Sequence, residues 1–136
     1  MKLVVDANVI IAALIKNGKS REILASGKFK FVTSDFVKEE VQKYIPLIKE
    51  KSGMDDHTLE VLTALIFEEI ETIPRIEYEK ELKKAEEIMK EDLKDSTYVA
   101  CYLALKCDGI WTHDPHYYRK QAIKPFRTID LVKFLG

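Results

Sequence analysis

Apolar and polar residues follow two periods along this chain, one of strands and one of helices. Lys2 to Val5 is a short apolar run of the kind that forms a buried strand, and it ends at Asp6. Val9, Ile10, Ala13 and Leu14 then recur at helical spacing until Asn17-Gly18 stops the pattern. A second short helix is predicted from Ser20, a good cap, to Ser26, with Gly27 closing it. Phe29 to Val32 reads as a buried strand, and Thr33-Ser34-Asp35 as the cap of a helix beginning near Phe36.

Phe36, Val37, Val41, Tyr44 and Ile45 share one stripe that runs past Pro46, where that helix should kink before Gly53 ends it. Asp55 or Asp56 caps a further helix, Leu59 to Glu68, whose stripe is Leu59, Leu62, Ile66 and Ile70. Glu71 to Pro74 is a short third strand. Glu77 to Glu91 is a charged helix with acids and lysines four apart, a pattern of solvated faces. Asp95 is placed to cap a helix from Ser96 to Lys106, apolar on most faces and so destined for the core. Gly109 to Thr112 is a fourth strand, followed by His113-Asp114-Pro115 and a short helix to Gln121. Pro125 to Ile129 offers a fifth strand, before a terminal helix to Gly136.

Strands alternating with helices predict an α/β fold whose parallel sheet is covered on both faces. Right-handed crossovers then bring the carboxyl ends of the strands to one edge. At 136 residues, without internal repeat or linker, the chain is expected to form a single domain over 1–136.

Composition narrows the function. Lys plus Arg number 22 against 23 for Asp plus Glu, so the net charge of -1 provides no global attraction for nucleic acid or anionic membrane. A polyanion must be held by a local patch, or by cations that screen the chain's own carboxylates. Cys101 and Cys107 match neither a thiolate metal site nor a redox pair, which fits packing in a reducing cytoplasm. No apolar run approaches the roughly 18 residues needed to span a bilayer, so no membrane association is expected. The chain opens directly into a strand and is expected to be soluble, unprocessed and cytoplasmic.

Four acids stand at strand ends or in helix starts facing the expected edge: Asp6, Glu40, Asp95 and Asp114. An Asp at a helix start is commonly a cap and nothing more; the signal here is their joint placement. Several carboxylates in one crevice repel unless protonated or bridged by a cation, which implies a hard divalent metal. Mg²⁺ or Mn²⁺ suits an all-oxygen shell, and the chemistry such a shell supports is attack of water on a phosphodiester. The doublet Glu39-Glu40 leaves the second acid open by one residue. Asn8 and Thr112, each two residues from a key acid, are candidates for orienting it or for stabilising a turn. Asp92 is a further outer or surface acid.

Four segments carry a resemblance: Asp6-Ala-Asn8-Val-Ile-Ile-Ala-Ala-Leu14, Ser34-Asp-Phe-Val-Lys-Glu-Glu40-Val, Asp92-Leu-Lys-Asp95-Ser-Thr-Tyr-Val-Ala-Cys-Tyr-Leu-Ala and Ile110-Trp-Thr-His-Asp114. In this order they resemble the signature segments of the PIN domain family. The resemblance spans nearly the whole chain and implies a three-layer α/β/α sandwich around a five-stranded parallel sheet. It implies Mg²⁺- or Mn²⁺-dependent endoribonuclease activity, with Asp6, Glu40, Asp95 and Asp114 as the metal-binding acids and Asn8 and Thr112 as their polar neighbours. The family's pattern of an acid followed by an apolar residue favours Glu40 over Glu39. Small members resembling VapC toxins form homodimers and are restrained by an antitoxin, so both partners are expectations here.

Other readings compete. His113 and His116 suggest a transition-metal site but lack a third partner at ligand spacing, and His57 reads as exposed. Trp111 reads as core, whereas Tyr117 or Tyr118 is a candidate for stacking on a base. Lys19, Arg119, Lys120 and Lys124 are candidate phosphate contacts. Asp6-Ala-Asn8 is similar to the start of aspartyl-nucleophile phosphatases, but Asn8 replaces the second acid. The absence of a glycine-rich phosphate loop argues against a nucleoside triphosphatase. A receiver domain would want an acid where this chain has Ile73-Pro74. The rival of another class is a non-catalytic scaffold of the same fold that binds RNA or protein.

Overall fold

The structure, a computed structural model, describes residues 1–136. Its centre is a parallel five-stranded sheet: β1 (Lys2–Val5), β2 (Lys30–Ser34), β3 (Ile70–Ile73), β4 (Gly109–Trp111) and β5 (Pro125–Phe126). The strands lie in the order β3-β2-β1-β4-β5. Leu3, Val4 and Val5 of β1 are fully buried, as a central strand with both neighbours parallel requires. The register pairs Leu3 with Phe31 on one side and with Gly109 on the other.

Helices α1 (Ala7–Ile15), α2 (Lys19–Ala25), α3 (Val37–Lys43), α4 (Ile45–Ser52) and α5 (Asp56–Glu68) follow the first two strands. After β3 come α6 (Arg75–Tyr78), α7 (Leu82–Met89) and α8 (Ser96–Ala104), and α9 (Thr128–Val132) follows β5. This is the α/β/α sandwich implied by the sequence. Thirty-one buried apolar residues form one continuous core, in which Trp111 lies 5.5 Å from the Phe31 ring. Trp111 is core as predicted, its Nε1 donating to the Thr128 hydroxyl at 3.1 Å. No helix is long and apolar enough to cross a membrane.

Several local expectations are corrected. The helix drawn through Pro46 is two helices, broken at Tyr44 (φ -100°, ψ 6°), with Pro46 in the first turn of α4 where its missing N–H costs nothing. The strand β2 extends to Ser34, because Thr33 and Ser34 are buried and Thr33 donates its hydroxyl to the Val5 carbonyl at 2.7 Å. Asp35 does not cap α3: it accepts from Arg75 N at 3.1 Å and from the Tyr78 hydroxyl at 2.6 Å, fastening α6 to the end of β2. Ser20 lies inside α2, whose N-cap is Gly18.

Ile70 begins β3 and does not continue the α5 stripe. The charged helix is interrupted by a 3₁₀ turn at Glu79–Glu81 and ends at Lys90, which takes a positive φ of 53°. The helix predicted to Lys106 ends at Ala104, β5 is only two residues long, and the last helix stops at Val132. Asp55, in contrast, does cap α5, accepting from Thr58 N at 2.8 Å.

Candidate functional site

From the adjacent pair β1 and β4 the sheet grows in opposite directions, to β2 and β3 on one side and to β5 on the other. A crevice opens outside the carboxyl ends of the strands at such a switch point. Asp6 leaves β1 at this point with its N–H still paired to the Trp111 carbonyl at 3.1 Å. It precedes α1, yet its side chain makes no capping bond. Instead Asp6 Oδ2 accepts from the Thr112 hydroxyl at 2.7 Å, and Asp114 N donates to the same Thr112 oxygen at 3.0 Å. One buried hydroxyl thus ties the acid after β1 to the acid after β4. Asn8 Oδ1 accepts from His113 N at 3.2 Å, so Asn8 holds the loop backbone and no carboxylate.

Asp95 ends a 3₁₀ turn, Leu93–Asp95, and heads α8, but its side chain does not cap that helix. It is 5 % exposed and its Oδ2 has no hydrogen-bond partner. Glu40, on α3, accepts from the Tyr98 hydroxyl at 3.2 Å. Asp6, Glu40, Asp95 and Asp114 line one cleft of about 290 Å³, together with Asn8 and Lys94 and an apolar rim that includes Tyr44 and Leu47. Glu39 lines a different cavity, beside Asp35 and Arg75. The doublet is therefore divided by the helix, and Glu40 is the member that shares the cleft with the other acids.

The cleft is electrostatically unfavourable without a counter-charge. Burial pushes the Asp6 carboxyl up to about 7; the Thr112 bond opposes this, and the charges of Asp95, Asp114 and Glu40 add to it. Asp95 is pushed up to about 6, again chiefly by burial, with Asp114, Glu40 and Asp92 adding and Lys94 opposing. An unpartnered buried carboxylate oxygen, here Asp95 Oδ2, is costly and calls for an ion or water. The all-carboxylate donor set and the orphaned Asp95 Oδ2 fit a hard divalent cation. As the side chains stand, no three His, Cys, Asp or Glu residues are grouped closely enough to hold a metal ion.

A family model described as PIN domain matches residues 4–124, a span that contains all four acids. The chain belongs to the PIN domain family. No curated protein matches it. PIN domains are generally nucleases that use divalent metals, so this is a nuclease-type fold.

Around the acid cleft of this PIN domain, the remaining sequence candidates divide. Asp92 lies outside the cleft lining; His116 Nδ1 stands 3.2 Å from both Asp92 Oδ1 and Asp114 Oδ1 but hydrogen-bonds to neither, while the His116 backbone N–H donates to Asp114 Oδ1 at 2.9 Å. The Tyr117 ring is fully buried and is unavailable to a base, whereas Tyr118 is 38 % exposed and carries the Arg127 guanidinium 5.3 Å above its ring. Lys120 donates to the Met89 carbonyl at 3.3 Å and Lys124 lies over Phe126, so both have structural partners.

Sequence reasoning missed Tyr98 and Lys94 altogether. Lys94 directly precedes Asp95, and Tyr98 stands three residues after it, one helical turn along α8. That spacing was the available signal for Tyr98.

Proposed function

We propose that this PIN domain, spanning 1–136 as one domain, is a Mg²⁺- or Mn²⁺-dependent endoribonuclease acting on single-stranded or looped RNA. The observation that carries the reading is the convergence of Asp6, Glu40, Asp95 and Asp114 on one cleft, from four separate segments, with Asp95 Oδ2 left unpartnered. When bound, Mg²⁺ or Mn²⁺ supplies Lewis acidity, offsetting charge on phosphoryl oxygens and making water acidic enough to attack.

The chain's own residues have the following parts. Asp6, Asp95 and Asp114 hold the cation, and Glu40 completes the set or orients the attacking water. Thr112 fixes the Asp6 carboxylate through its hydroxyl, and Asn8 holds the loop that carries Asp114. Lys94, on the cleft wall, offers a positive charge to the phosphate. His116 supports Asp114 through its backbone N–H, which donates to Asp114 Oδ1, and Asp92 stands beside the His116 ring. A phosphatase with Asp6 as nucleophile is disfavoured, because Asp6 is 3 % exposed and one of its oxygens is bonded to Thr112.

The proposed compartment is the cytoplasm, where RNA is at hand and Cys101 and Cys107 stay reduced. A toxin role with an antitoxin and a homodimer belongs to the same proposal. It is supported by membership of the family and by the exposed apolar side chains Val61 and Leu65 on α5.

The test is cleavage of a mixed structured RNA with Mn²⁺, with Mg²⁺ and with EDTA, beside a folded Asp6→Asn variant. Metal-dependent cleavage lost in the variant is the expected result. A wild type that neither cleaves nor binds Mn²⁺ would leave a non-catalytic binding scaffold as the better reading.

A further inference from the structure

A cavity of about 470 Å³ lies beside the acid cleft. Its charged lining is Lys16, Lys19 and Lys51, it contains no carboxylate, and Ser20, His113 and Thr128 add polar groups. In a chain whose acids and bases nearly balance, three lysines around one hollow without an acid form a local positive field.

Two elements join this hollow to the acid cleft. Helix α1 and its C-cap border both, with Asn8 and Ile11 on the cleft and Ala12, Ile15 and the C-cap Lys16 on the basic cavity. The rise of about 1.5 Å per residue puts Lys16 roughly 12 Å along the helix from Asn8, a distance that a few nucleotides of single strand cover. The second element is the loop after β4, where His113 faces the basic cavity and Asp114 the cleft.

The floor of the cavity is fixed. Thr128 Oγ1 lies 2.7 Å from His113 Nε2, takes the Trp111 Nε1 donor at 3.1 Å and lies 3.4 Å from Ser20 Oγ. The rim is adaptable: Lys16 and Lys51 make no ion pair, and the pairing of Lys19 with Glu22 at 3.1 Å is solvent-exposed on both sides and so weak. The acids of the cleft repel every phosphate except one bridged by cations, so affinity for the rest of the strand must come from outside it.

We propose that Lys16, Lys19 and Lys51 form a backbone-phosphate subsite for single-stranded RNA, holding the strand beside the phosphodiester that lies in the acid cleft. The proposal rests on the ribonuclease reading and deepens it. Phosphate contacts of this kind fix register and supply affinity without reading bases.

The test compares Lys16→Gln/Lys19→Gln/Lys51→Gln with a control triple of the same charge, Lys80→Gln/Lys83→Gln/Lys84→Gln. Binding of a fluorescent single-stranded RNA is measured by anisotropy against salt, in an Asp6→Asn background that spares the RNA. The cavity triple should lose about tenfold or more in affinity, and its slope of log K against log salt should shrink by about 2, at roughly 0.7 per single-strand phosphate contact. The control triple should match the parent, and Mn²⁺ binding to the cavity triple in the otherwise wild-type chain should be unchanged by calorimetry.

A cavity triple that behaves like the control in affinity and slope overturns the subsite. Loss of Mn²⁺ binding in that triple also overturns it, since the lysines would then act through the acid site. Failure of the ribonuclease reading is separable, because it appears as absent Mn²⁺ binding and absent cleavage in the unsubstituted chain.

Discussion

Tyr98 shows how a single buried hydroxyl can set the site. Burial and the neighbouring charge of Glu40 hold its hydroxyl far above the usual tyrosine range, so it stays protonated and donates to Glu40 Oε1. Tyr98→Phe keeps the ring and removes the donor. It is expected to weaken Mn²⁺ binding several-fold, about 1 kcal/mol, with no further loss when combined with Glu40→Gln. Additive losses by calorimetry would count against the link.

The acids also predict a pH dependence of stability in EDTA. Asp6 and Asp95 have folded values raised to about 7 and about 6. Between the ordinary carboxylate range and these values the folded state binds protons that the unfolded chain releases. Metal-free stability should therefore fall as pH rises from about 4 to about 7, by on the order of a few kcal/mol, and level off above. Thermal melts across that range check the sign, and a rise in stability over this window would contradict it.

At the level of elements, β4 approaches β5 closely at Gly109. A Cβ at Gly109 would clash with the Phe126 ring and lie 2.8 Å from the Lys124 carbonyl, and the latter is backbone that cannot swing aside. Gly109→Ala should cost roughly 2 kcal/mol or more and disturb the loop carrying Thr112 and Asp114. Denaturant melts measure the first effect and Mn²⁺ affinity the second. At the start of α5, Asp55 is held below the ordinary carboxylate range by the Thr58 N–H. Its contribution is present at neutral pH and lost as pH falls through that depressed value. Asp55→Ala should therefore lower the melting temperature at pH 7, with a difference that narrows below about pH 4.

For the whole molecule, stability and the proposed chemistry oppose each other in the cleft. Asp6→Asn removes a buried charge from a repulsive set while leaving an oxygen to accept from Thr112. It should raise the metal-free melting temperature at pH 8 by about 5 °C and abolish cleavage. A variant both inactive and less stable would mean that Asp6 is needed for folding. The same repulsion explains why the positive cavity along α1 is the better place for the rest of a polyanion.

Periodicity and end signals, which are local, determined the strands, most helices and the candidate acids. Buried runs such as Lys2–Val5 and the cap at Asp55 depend on neighbours within one turn, so they were legible. Four acids at element ends, in a chain of nearly neutral charge, were enough to suggest the cleft. Only the tertiary structure decided what lies across it. The Thr112 bond to Asp6 spans 106 residues and the Tyr98 bond to Glu40 spans 58, distances over which no sequence period carries information. The division of Glu39 from Glu40 followed from how α3 packs, and the break at Tyr44 from the fold accommodating Pro46 as a helix start. Asp35 was drawn from its local cap to Arg75 and Tyr78 because β2 and β3 pair in parallel and bring α6 to its side. Local chemistry proposes partners for a side chain, and packing chooses among them.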